Sequence, residues 1–221
     1  MGQLIGDIMN ITKKRLYQGC LIASLSHAIM TNIYPELAYE QSWDDNNYSI
    51  QDSQGLRGTI TFESDYCIGA FRNDNSIFAG NANFPDIILS DFPSDIIDNA
   101  RKETLQYMLI EDAGIVFPSI TSFFWADNTT FHYSKNNLSS LQQDLSLISW
   151  ILLSKEDAIK EWQKYYDMNN DSITLLKYLL SEKERCFSHN VVLDKERKKL
   201  IPGSQILNEC VESLRELNIQ V

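Results

Sequence analysis

Residues 57–72 read RGTITFESDYCIGAFR, and the reading of this stretch decides the fold. Two runs rich in β-branched and aromatic residues, 57–62 and 66–72, flank the polar pair Ser64-Asp65, which predicts a hairpin. Upstream, Leu37, Tyr39, Gln41 and Trp43 alternate, and Tyr48 and Ile50 continue after the turn Asp44-Asp45-Asn46-Asn47. Residues 51–56 form a further turn in which Gly55 is free to take a positive φ. Consecutive hairpins need no crossover helices. The pattern therefore predicts an antiparallel meander of about four strands rather than a parallel doubly wound sheet.

Outward from the meander, the period changes to that of helices. Leu16, Cys20, Ala23, His27 and Met30 recur at steps of four and three, predicting a helix over 12–34 that Pro35 ends. Ser94 or Asp95 caps a second helix with Ile97, Ala100, Leu105, Met108 and Leu109 on one face. Residues 115–117 and 122–126 read as one or two more strands completing the sheet. From 137 onward the chain is helical. Leu138, Leu141, Leu145, Ile148 and Leu152 make one stripe, and Ser154 with Asp157 forms a capping box before Trp162, Tyr165 and Tyr166. Asp171 or Ser172 caps a third helix, and Ser204 a last one bearing Cys210 and Leu214. The fold class is α+β, with an N-terminal helix, an antiparallel meander sheet of four to six strands and a helix-rich C-terminal third. Residues 1–133 read as an α+β core domain and 134–221 as a helical region packed on it as one domain.

With 221 residues, of which 43% are hydrophobic, the chain has enough apolar material for a sizeable core. A net charge of −11 repels phosphate backbones and argues against nucleic-acid binding. The one basic cluster, Lys195, Arg197, Lys198 and Lys199, alternates with Asp194 and Glu196 and reads as a solvated linker. No export signal is visible, and the longest apolar run, 147–153, is too short to span a bilayer, so no membrane partner is expected. Four widely spread cysteines without a signal read as reduced thiols in a cytoplasm.

No metal site is expected. Asp167, Asn169 and Asp171 imitate an EF-hand start, but Ser172 stands where the loop needs Gly, and Tyr178 where it needs a bidentate carboxylate. Cys186 and His189 make only half a zinc site. Phosphate-loop and dinucleotide fingerprints are absent, so no cofactor is expected. For nucleophilic chemistry the candidate pair is Cys20 and His132. Gln18-Gly19-Cys20 at an apolar helix resembles papain-like cysteine hydrolases, which implies a Gln oxyanion donor and a thiol activated at a helix N-terminus. Asn136, Asn137 or Asp127 would then orient His132. The helix start at 12–15 opposes this, because it leaves Cys20 two turns inside an apolar stripe.

Glu40, Trp43, Asp44, Tyr48, Arg57 and Arg72 form the densest set of binding-type residues, combining aromatic area with charges of both signs. The alternative for them is cross-strand packing, with Arg–carboxylate pairs on the wet face. The absence of a complete catalytic, metal or cofactor set favours a non-catalytic cytoplasmic protein-interaction module. An immunity or antitoxin-type inhibitor of a basic toxin domain is one form of it. The alternatives are a small cysteine hydrolase and a small-molecule-binding protein.

Overall fold

The computed structural model describes residues 11–134, 138–185 and 188–221. In chain order the helices are α1 (Lys13–Met30), α2 (Phe84–Leu89), α3 (Ser94–Lys102), α4 (Leu138–Asp144), α5 (Lys155–Tyr165), α6 (Asn170–Arg185), α7 (Lys195–Lys198) and α8 (Asn208–Glu216). The strands are β1 (Gln41–Asp44), β2 (Asn47–Gln51), β3 (Leu56–Phe62), β4 (Cys67–Asn73), β5 (Leu109–Asp112), β6 (Ile115–Pro118), β7 (Ser122–Ala126), β8 (Phe131–Tyr133), β9 (Val191–Val192) and β10 (Ile219–Gln220). A six-stranded sheet runs in the order β1-β2-β3-β4-β7-β8, antiparallel along β2, β3, β4, β7 and β8. The α+β class and the sheet of four to six strands are as expected.

Chain contacts divide the molecule into two compact units. The first comprises the chain up to Arg15 with Asn46–Ser149, and the second Leu16–Asp45 with Trp150–Val221. These units divide the chain at 15/16, 45/46 and 149/150, whereas the sequence reading distinguished 1–133 from 134–221 within one domain. The physical reason lies in α1. Every residue from Gly19 to Met30 is buried, so this helix needs cover on all sides, and the C-terminal segments supply part of it.

In the first unit both faces of the sheet are covered. Ile68, Ala70 and Phe123 face α2, α3 and the tight turns at Thr104–Met108, joining Phe84, Ile88, Ile96, Leu105 and Met108 in one apolar cluster. Between the strands, glycine sits opposite an aromatic twice, in the pairs Gly58–Phe71 and Gly69–Phe124. A Cβ at Gly58 would lie 2.4 Å from the Phe71 ring and one at Gly69 2.3 Å from Phe124, so each ring lies over a strand that has no side chain there. Asn99 on α3 donates to Glu63 Oε1 (3.0 Å) and to the Tyr66 hydroxyl (2.8 Å), fixing the helix to the β3–β4 turn.

The opposite face carries α4, which packs on β4 and β7. Its last residue, Asp144, is buried and accepts from the hydroxyls of Thr121 and Ser122, each at 2.7 Å. Among the described residues its Oδ1 receives no hydrogen bond of normal geometry, although Asn73 is a polar neighbour. Burial raises the carboxyl pKa, and hydrogen bonds from Ser122 and Thr121 only partly oppose that. A raised folded pKa means stability present below the unfolded value is lost as pH rises through the folded one. Burial thus makes the charged form of this carboxyl a burden, while its hydrogen bonds are an asset. Asp144→Asn, which keeps an acceptor and drops the charge, is expected to match or exceed the wild type in urea unfolding at pH 7. Asp144→Ala removes the acceptor shared by the Ser122 and Thr121 hydroxyls, although Thr121 keeps the Phe71 carbonyl at 3.3 Å, and is expected to lose about 2 kcal/mol.

The second unit is helical around α1. Asn32, just past its end, donates to the carbonyls of Pro202 (2.6 Å) and Gln205 (2.8 Å) and accepts from Leu207 N–H (2.7 Å), so one amide organises the segment before α8. The last helix starts at Asn208, later than the predicted Ser204 cap, because this segment is held by Asn32 instead. Ser154 caps α5 as predicted, accepting from Asp157 N–H at 3.2 Å. The cap of α6 is Asn169, which accepts from Ser172 N–H at 2.8 Å, rather than Asp171 or Ser172. Lys183 is fully buried, with Nζ donating to the carbonyls of His189 (2.6 Å) and Asn218 (3.2 Å), where the parallel β9–β10 pair begins. The basic cluster at 195–199 forms the short α7 and the residue after it. There Arg197 pairs with Asp194 and lies 4.0 Å from the centroid of the Tyr178 ring.

Candidate functional site

The segment Met108–Ser119 leaves the core as an arm. Leu105 and Met108 anchor one root and Ile120 the other, all buried, and Ser119 N–H donates to the Met108 carbonyl at 2.9 Å. Between these roots, among the described residues, β5 and β6 pair only with each other, in the register Leu109–Pro118, Ile110–Phe117, Glu111–Val116 and Asp112–Ile115. The two-residue connection Ala113-Gly114 takes φ of 50° and 81°, the doubly left-handed geometry that lets a tight turn follow the strand twist.

The arm is apolar on both faces. Leu109, Glu111, Val116 and Pro118 share one face; Ile110, Asp112, Ile115 and Phe117 share the other. Ile115 is 64% exposed, Val116 61% and Leu109 40%. An isolated two-stranded ribbon is marginal in water, and a solvated hairpin ordinarily has one polar face. Near the tip stand Glu111 and Asp112, whose side chains have neither hydrogen bond nor ion pair among the described residues. The arm thus combines exposed aliphatic area, open strand edges and two unneutralised carboxylates.

Sequence reading placed 115–117 in the main sheet and Leu109 on a helix face. Both placements are corrected here. The signal was present: two short apolar runs around Asp112-Ala113-Gly114 fit a hairpin, but Met108 and Leu109 also continued the spacing of the preceding helix. The chain turns at Glu103, where φ −117° and ψ −87° end α3.

The six candidate binding residues fall in different units. Glu40, Trp43 and Asp44 belong to the second; Tyr48, Arg57 and Arg72 belong to the first. Trp43 and Tyr48 are 5% and 0% exposed and serve as core. Trp43 donates from Nε1 to Ser24 Oγ at 2.6 Å and from its backbone N–H to the Glu216 carboxylate at 2.9 Å, and packs edge-on with Tyr17. Asp44 is exposed and Glu40 half-buried. Arg57 and Arg72 do come together, directly opposite on β3 and β4, and share Asp74 at 3.5 and 2.5 Å. That is the cross-strand Arg–carboxylate packing weighed as the alternative.

Cys20 is fully buried two turns inside α1, beyond the reach of the helix N-terminus and without solvent access. His132, exposed on β8, stacks its ring on Trp125 at 4.1 Å and belongs to the other unit. Asp127 is occupied within its own turn, accepting from Thr129 and Thr130 N–H at 2.6 and 2.7 Å, bonds that hold its carboxyl below the usual range. Asn136, Asn137 and Cys186 lie outside the described residues. The buried thiols of Cys67 and Cys210 are pushed up to about 12 by desolvation, so neither is a thiolate at neutral pH. Among the described residues, no group of three His, Cys, Asp or Glu is arranged to hold a metal ion. No described helix is long and apolar enough to cross a membrane.

No protein-family model, curated protein or solved structure matches this chain. The arm presents exposed Ile115, Val116 and Leu109, with the carboxylates of Glu111 and Asp112 beside them.

Proposed function

We propose that this chain is a non-catalytic protein-interaction module that engages a basic partner through the β5–β6 arm. The observation that carries the reading is the exposure of aliphatic side chains on both faces of a hairpin whose strands, among the described residues, pair with no other strand. Exposed apolar area concentrated in one element is the usual mark of a docking surface, and open strand edges accept an added strand. Pro118 lacks an N–H, which favours β5 as the edge that receives it. Glu111 and Asp112, together with a net charge of −11, favour a positively charged partner and disfavour pairing with a second copy. A cytoplasmic inhibitor of a basic toxin-type domain is a concrete form of this role.

The test is stoichiometric capture from the source cell by the wild-type chain beside Ile115→Ser/Val116→Ser. Both positions are exposed, so the variant is expected to keep the wild-type melting temperature while losing a basic partner of the wild type. Charge reversal by Glu111→Lys/Asp112→Lys is expected to slow association about tenfold or more at low salt, with little change at high salt. A partner retained in full by the Ser/Ser variant, or one that is acidic, refutes the arm as the docking element.

A further inference from the structure

A second surface, independent of the arm, lies in the helical unit. Helices α5 and α6 form a hairpin, as the ion pair Lys155–Glu184 (2.8 Å) shows by joining the start of one to the end of the other. Along their seam runs a half-open groove of about 480 Å³. Lys155, Ile159 and Gln163 line it from α5 at steps of four. Ile173, Lys177 and Leu180 line it from α6 at steps of four and three, so one stripe of each helix faces the same groove. Ile159 and Leu180 are buried and Ile173 half-buried, making an aliphatic floor. Lys155, Lys160 and Lys177 stand around it with a single acid, Glu156, which leaves the lining at +3 − 1 = +2.

That composition runs against the chain as a whole, which has 19 basic and 30 acidic residues. Lys155 and Lys160 are ion-paired, to Glu184 and to Asp157 at 3.0 Å. Lys177 has neither a hydrogen bond nor an ion pair among the described residues. An aliphatic floor beside an uncompensated ammonium suits a molecule that is apolar along its length and anionic at one end. The volume falls in the range of small-ligand sites, about 300–1,000 Å³. It is too small for the side chains of a docked helix several turns long.

We infer that the α5–α6 groove binds a free single-chain anionic amphiphile, with the aliphatic tail on Ile159, Ile173 and Leu180 and the carboxylate or phosphate head at Lys177. Lysine stems extend the apolar surface around the tail while their ammonium groups stay in water. Each further methylene buried in the groove strengthens binding by at most about fourfold, until the floor is filled.

Calorimetric titration of the full chain with sodium octanoate, sodium decanoate, decyl phosphate, decanol and inorganic phosphate, all below micelle-forming concentrations, tests this. Decanoate and decyl phosphate are expected to bind with one-to-one stoichiometry, decanoate more tightly than octanoate, and decanol at least about tenfold more weakly. Lys177→Glu, at an exposed position, is expected to weaken decanoate at least about tenfold, and Ile173→Asp to weaken it similarly through the floor. Equal binding of decanol and decanoate, or an unchanged Lys177→Glu, overturns the inference. So does inorganic phosphate binding as tightly as decyl phosphate, which reduces the groove to an anion site. Binding to vesicles of phosphatidylcholine and phosphatidylglycerol without binding of monomeric decanoate overturns it in favour of a membrane surface. Because Lys177 and Ile173 lie outside the arm, failure here leaves the partner reading standing, and the converse also holds.

Discussion

Gly19→Ala is expected to destabilise the protein by about 3 kcal/mol, although alanine is the better helix former. Two effects compete at this position. Inside a helix, alanine gains about 1 kcal/mol over glycine because it loses less backbone entropy. Against that, a Cβ at Gly19 would lie 2.0 Å from the Ile151 carbonyl oxygen and 2.7 Å from its carbon. Both are backbone atoms, so no rotamer change relieves the overlap, and α1 or the turn around Ile151 has to move. Both are buried in a close-packed unit where such shifts cost several kcal/mol in lost contacts. The steric term wins. Urea unfolding monitored by tryptophan fluorescence checks this, with Lys14→Ala on the exposed side of the same helix as control and near wild type. A Gly19→Ala midpoint at or above wild type would show that α1 does not make this close approach.

The second large effect is a loss of about 3 kcal/mol as the pH falls from 6.5 to about 4, arising from His27. His27 is 2% exposed, with Nδ1 3.0 Å from the Tyr166 hydroxyl and no hydrogen bond of normal geometry at Nε2 among the described residues. Burial lowers its pKa from 6.5 to about 4, and the nearby Ala38 backbone opposes this only in part. The sign follows from linkage. Below pH 6.5 the unfolded chain takes up a proton at His27 and the folded chain does not, so unfolding gains free energy as pH falls. The stabilising contribution is therefore complete above pH 6.5 and is lost progressively until about pH 4. Carboxylates such as Glu216, raised by burial, titrate partly in the same window, so the measurement is a difference. Urea midpoints at pH 7, 6 and 5 are compared for the wild type and His27→Gln, which cannot ionise. The variant is expected to be weaker at pH 7 yet flatter with pH, the two curves converging towards pH 5. Parallel curves would exclude His27 as the source.

The two surfaces differed in how far sequence reached them. The aliphatic and lysine positions of α5 and α6 were visible, but which stripe of each helix faces the other depends on the turn after Tyr166, where Asp167 takes φ 50° and Asn169 supplies the cap. The arm was half legible, since residues 115–117 read as a strand whose partner was hidden in an apparent helix face. For the candidate binding set around Trp43, the sequence left open which residues are buried. Trp and Tyr anchor interfaces and cores alike, and only burial separates the two roles. The indole N–H of Trp43 finds its acceptor on Ser24, far away in sequence.

By itself the sequence determined the local structure. Alternation of apolar residues and turn chemistry set the β2–β3–β4 meander, and four- and three-residue spacing with a Ser154 cap set α1 and α5, because these signals act within a few residues. It also determined the acidic balance that bears on what the chain can approach. Tertiary structure alone decided which elements share a core. The periodicity of α1 shows which of its residues are apolar but not what covers them. It is the close approach at Gly19–Ile151 and the His27–Tyr166 contact that join α1 to segments more than a hundred residues away. Tertiary structure also decided that Leu109, Ile115 and Val116 stay in solvent, because exposure depends on whether another segment arrives to cover a strand. No pattern inside the strand records that.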